Sequence, residues 1–192
     1  MESNFRPDES LRIITSMIDK ARLDMSDKSQ FFLIWGWGAF LACVAQFILK
    51  VIFLYPYHYQ VWWVTVPCLI LSFMTAMRNK RTARVKTFVG ETMIHVWTGL
   101  GFSFAVMAVI FSKIGWEYCF PFYIMIYGVG TFISGRLLKF SPLIVGGVIC
   151  SVLAAISVFL QYDYQILITA TALLVSYIIP GHLLRQQYKN QQ

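Results

Sequence analysis

Charge is what this sequence has least of, and what it has avoids the middle of every long apolar block. Only 13% of the 192 residues are charged and 58% are hydrophobic, where a soluble domain carries roughly 25% and 45–50%. The apolar residues fall in blocks of about 20, the length a membrane-spanning helix needs. An ionisable residue inside a span is a functional hypothesis by default, and none lies at the centre of a block. That weighs against proton- or sodium-coupled transport, although backbone carbonyls and hydroxyls can also bind ions. Cysteine is scarce as well: Cys43, Cys68, Cys119 and Cys150 lie in or at the edge of apolar blocks with no CxxC pair. A disulfide framework or zinc site is not expected. HExxH, a phosphate loop and a Ser-His-Asp pattern at usable depth are all missing. The sequence therefore points to no catalytic residue, cofactor, metal or enzyme activity. The first 30 residues hold six acids, five bases and no apolar run before Phe31, so no cleavable signal is expected.

What charge there is concentrates in one run, Arg78-Asn79-Lys80-Arg81-Thr82-Ala83-Arg84-Val85-Lys86. Each Lys or Arg at the bilayer centre costs at least about 2.5 kcal/mol, so the run reads as a loop. Short loops rich in Lys and Arg stay cytoplasmic. Arg78, Lys80, Arg81, Arg84 and Lys86 would then face anionic lipid or a partner. Placing this loop inside orders the rest by alternation. Six spans are expected, at about 31–49, 61–77, 92–112, 119–138, 142–160 and 166–184. Fourteen of the sixteen bases fall on the inner side, and only Lys50 and Lys113 on the outer. The fold class is all-α: a polytopic membrane bundle with both termini cytoplasmic and a cytoplasmic tail from 185 to 192. The same distribution explains the net charge of +7 without nucleic acid. Aromatic residues are abundant, as the belts at membrane interfaces require.

Residues 1–30 form a polar preface. Leu11, Ile14, Ile18, Ala21 and Met25 recur at helical spacing, which predicts an amphipathic helix on the cytoplasmic side. It would lie on the membrane surface, on the loops or against a partner helix.

Glycines recur at one depth on the three outward-running helices: Gly36 and Gly38, Gly99 and Gly101, Gly146 and Gly147. Small residues let membrane helices meet closely, so these six are expected at helix contacts, in three hairpins of one plan. A rival alignment sets Trp35–Phe40 against Tyr127–Phe132, an inverted repeat of the kind some transporters use. Gly128, Gly130 and Gly135 with Gly146 and Gly147 also read as a close-packed pair of helices four and five. At the inner ends, Glu91 and His95 share a helix face, and Arg136 and His182 lie at similar depth. Together they form a candidate site for a headgroup or small ligand, or serve as ordinary interfacial residues. His58, Glu117 and Asp163, one on each outer turn, form a weaker set.

The stretches Glu9–Ile18 and Phe31–Trp37 resemble the start of a family of small uncharacterised six-span membrane proteins of Bacteroidota. Tyr127–Gly135 and Leu138–Gly147 are similar to their later part. The resemblance implies a bacterial inner-membrane setting and brings no activity. The expected function is a membrane interaction or regulatory protein, with the bilayer, a cytoplasmic protein or a second copy as partner. The alternative is a small-solute transporter or channel built from repeated hairpins.

Overall fold

The computed structural model describes residues 29–82 and 88–189, of which 79–82, 88 and 187–189 are described by backbone alone. The amphipathic helix expected within residues 1–30 falls almost wholly outside them, as do Arg84 and Lys86. All secondary structure among the described residues is helical. Helix α1 spans Ser29–Ile52 and ends in a π-helical turn, Ile48–Ile52. A 3-10 segment, His58–Val64, leads into α2, Thr65–Thr82. Then come α3, Phe88–Ile114; α4, Cys119–Leu138; α5, Ser141–Ser157; and α6, Tyr162–Leu173. A second π turn, Leu174–Ile178, joins α6 to α7, Ile179–Lys189.

Five continuous helical stretches are long and apolar enough to cross a membrane, and α5, at 17 residues, is a shorter apolar helix. Local chemistry sets several boundaries. Gly115 takes φ +108° after α3, a conformation that glycine adopts without penalty. At the end of α4, Lys139 is left-handed and Phe140 N–H donates to the Gly135 carbonyl at 2.9 Å. This six-to-one bond closes the helix as a Schellman motif, with lysine in the place glycine usually takes. Pro142, in the first turn of α5, starts the next helix at once, where a missing amide hydrogen costs nothing. Pro180 cannot donate to the carbonyl of Ser176 and its ring crowds that carbonyl. The wider π turn just ahead of it absorbs the mismatch.

One expectation changes here. The basic run is not a loop from its first residue, because α2 continues through Thr82. Lys and Arg are good helix formers and suit the negative end of the helix dipole.

The bundle is tightest between α4 and α5, by far the most extensive contact among α2 to α7. A Cβ on Gly147 would lie 2.5 Å from Phe132 N and 2.8 Å from Gly128 O, and one on Gly135 would lie 2.6 Å from Ile144 N. Backbone meets backbone there. Gly146 abuts the second π turn, with Ser176 Cα at 3.0 Å. Gly36 of α1 abuts the same turn through Tyr177, and Gly38 abuts Cys68 of α2. Gly99 and Gly101 differ: both are exposed, and a Cβ on either meets nothing within 4 Å. The expected common packing plan therefore does not extend to α3 within this chain. The spacing along the helix is alike in all three, but the direction around the helix axis is not.

Candidate functional site at the Lys50 end of the bundle

Polar side chains converge where α1 ends, the 3-10 segment begins and α6 starts. Gln46, two residues before the π turn of α1, is 1% exposed. Its Oε1 accepts from Trp62 Nε1 at 2.7 Å. Its Nε2 stands 3.3 Å from His58 Nδ1 and donates to the Tyr162 hydroxyl at 3.2 Å. One amide thus ties three segments together. An indole nitrogen can only donate, so Trp62 fixes which end of the Gln46 amide is oxygen. The amide nitrogen must then face His58 and Tyr162.

A charged pair covers this network. Lys50, on the π turn, forms a salt bridge with Asp163 in the first turn of α6. Its ammonium also stands 4.0 Å from the centre of the Tyr162 ring, within cation–π range. Both side chains are partly exposed, at 29% and 42%. Screening therefore keeps the pair's net contribution at roughly 0–1 kcal/mol. Phe120 of α4 backs the site, with ring centroids 5.4 Å from Tyr162 and 6.2 Å from Trp62. What this arrangement does chemically is clasp: it holds a buried amide with complementary donors and acceptors from different helices.

The expected sets fare differently. Of His58, Glu117 and Asp163, the first and last join the clasp or its cover, while Glu117 is exposed and apart. Lys50, expected on the outer side, is bound to Asp163. At the other end, Glu91, His95, Arg136 and His182 are all exposed. No hydrogen bond or ion pair links these four among the described residues. His182 instead accepts from Trp37 Nε1 at 3.4 Å, with the rings T-shaped at 6.4 Å. No group of three His, Cys, Asp or Glu able to hold a metal occurs among the described residues, and Cys43, Cys68, Cys119 and Cys150 are free thiols.

One buried cluster is aromatic. Tyr177, 1% exposed on the second π turn, is ringed by Phe32, Trp97 and Tyr127 at centroid distances of 5.6, 6.1 and 5.3 Å. Trp97 Nε1 donates to Ser134 Oγ at 3.2 Å. A groove of about 390 Å³ runs instead along the open side of α4 and α5, lined by apolar residues such as Val129, Phe132, Val148 and Val152.

Comparison of the chain with family models, curated proteins and solved structures gives no match. The functional reading therefore rests on these residues.

Proposed function

We propose that the chain is a six-span integral protein of a bacterial inner membrane, with both termini cytoplasmic, acting in membrane interaction or regulation rather than as a solute path. The packing of the aromatic cluster carries the reading. Tyr177, Phe32, Trp97 and Tyr127 fill the space where α1, α3, α4 and the second π turn meet, which leaves no polar path among these helices. The charged residues lie toward the ends of the apolar blocks instead. The resemblance to the Bacteroidota proteins supports the setting, and the bias of Lys and Arg supports the sidedness. The working surface on this reading is the basic run, Arg78, Lys80, Arg81, Arg84 and Lys86, facing anionic lipid or an acidic partner surface.

Replacing all five bases by glutamine tests it. Each base near an anionic surface contributes about 1 kcal/mol, so native mass spectrometry should show at least about tenfold less phosphatidylglycerol retained by the variant. The unmodified chain in proteoliposomes should leave sugar and amino-acid permeation at the protein-free rate. Equal lipid retention, or protein-dependent swelling in those solutes, would count against the reading.

A further inference from the structure

We propose that the Gln46 clasp is a proton-sensitive latch, closed when His58 is neutral and released when His58 gains a proton. The argument begins with Trp62. Its indole N–H is a donor only and sits 2.7 Å from Gln46 Oε1. The Gln46 amide nitrogen, also a donor only, is therefore the atom 3.3 Å from His58 Nδ1. Nδ1 must accept, so it carries no proton, and the single proton of the neutral ring is on Nε2. Protonation puts a hydrogen on Nδ1, and two donors then face each other. Turning the Gln46 amide over does not help, because it sets the amide nitrogen against the indole donor. No arrangement of this amide satisfies a charged His58 and Trp62 together.

The charges around the ring oppose one another. Partial burial disfavours a charged imidazole most and lowers its pKa; from α1 the Lys50 ammonium disfavours it too, and from α6 the Asp163 carboxylate favours it. Lys50 and Asp163 are themselves paired. The remaining neighbours are the Tyr162 hydroxyl, on Gln46, and the Tyr59 ring at 6.1 Å. The sign follows. The latch binds only the neutral ring, so its stabilisation is present above the titration of His58 and is lost as pH falls through it.

The latch matters because α2 is largely open. Only 6% of the apolar window of that span is buried, against 39% for α1 and 56% for the last span. Cys68 of α2 also approaches α1, at Gly38 and at the Ile34 carbonyl. Release at the 3-10 segment thus frees the helix that carries Arg78 to Thr82 at its far end. On the six-span reading the latch faces the outside and the basic run the inside. Outside acidity would then be read at the cytoplasmic surface.

The test uses the full chain in detergent, where sidedness plays no part. Histidine is the side chain whose ordinary titration lies between about pH 5 and 8. Between about pH 8 and 5.5 the melting temperature of the parent should fall by roughly 3–10 °C, as expected for buried donors left without acceptors. His58→Asn, whose Oδ1 accepts in place of Nδ1 and does not titrate, should lose most of that fall. Asp163→Asn should keep it. Nitrogen-15 shifts of labelled imidazoles, assigned by the ring missing from His58→Asn, should show His58 protonated on Nε2 alone at pH 8. The proposal is overturned if His58→Asn falls as far as the parent, if Asp163→Asn abolishes the fall, or if the His58 ring carries its proton on Nδ1.

Discussion

Gly147→Leu should lower the melting temperature in detergent by roughly 6–12 °C, or leave no folded protein to melt. A β-carbon there would meet Phe132 N, Gly128 O and Phe132 Cα, all within 2.8 Å. Those atoms are backbone and cannot rotate aside. To admit a side chain, α5 must move off α4 and forfeit the closest contact in the bundle. Overpacking typically costs about 1–3 kcal/mol, and a backbone neighbour puts this site at the upper end. Gly135→Leu should behave alike, since Ile144 N would stand at 2.6 Å. Gly99→Leu and Gly101→Leu are the contrast. Both positions are exposed with open space around them, and exposed substitutions usually stay within about 0.5 kcal/mol. Equal melting of Gly147→Leu and Gly99→Leu would show that the α4–α5 contact is not the close one described.

The second large effect is expected from Gln46→Leu. The change keeps the apolar volume and strands Trp62 Nε1 and the two groups that meet the amide nitrogen. Polar contacts within membranes average about 0.6 kcal/mol and reach about 1.7, so losing three should cost on the order of 2 kcal/mol. The melting temperature should fall by roughly 4–8 °C. Gln165 provides the comparison. It is also buried, but it donates only to the Leu160 carbonyl and its Oε1 has no partner. Gln165→Met removes one bond and one unsatisfied atom together, so it should cost distinctly less. A Gln46→Leu variant as stable as the parent would mean that the clasp contributes nothing.

Much of the helical layout was legible in the sequence, because a block of about 20 apolar residues has few other solutions. Helix α4 was legible to its last residue, since the turn at Gly115 and the basic pair Arg136 and Lys139 bracket it. The π turns were not legible. A one-residue widening of a helix leaves no mark on hydrophobic periodicity, and only Pro180 hinted at the second. The clasp was overlooked for a different reason. A search for charged groups within spans passes over a neutral amide, yet Gln46 is the sole amide between Phe31 and Leu49. His58 and Trp62 lie just past the end of α1, but Tyr162 lies 116 positions on, and only the fold brings it to Gln46. The glycines show the same limit: recurrence gave their depth, and whether each faces a helix or open space depends on rotation about an axis that recurrence does not report.

The account turns on α5, the 17-residue helix between Phe140 and Gln161. At about 1.5 Å per residue it measures roughly 25 Å, just short of a hydrocarbon core of about 30 Å. The turn from Val158 to Leu160 extends it. If α5 crosses, its two ends lie on opposite sides and the chain has six spans. The direct measurement is labelling of single cysteines with a membrane-impermeant maleimide in intact cells, in a background lacking the four native thiols. Cysteine at Gln161 should label without lysis, and cysteine at Ser141 should label only after it. Labelling of both positions from outside, or of neither, would contradict the six-span arrangement and the cytoplasmic placement of the C-terminus that depends on it.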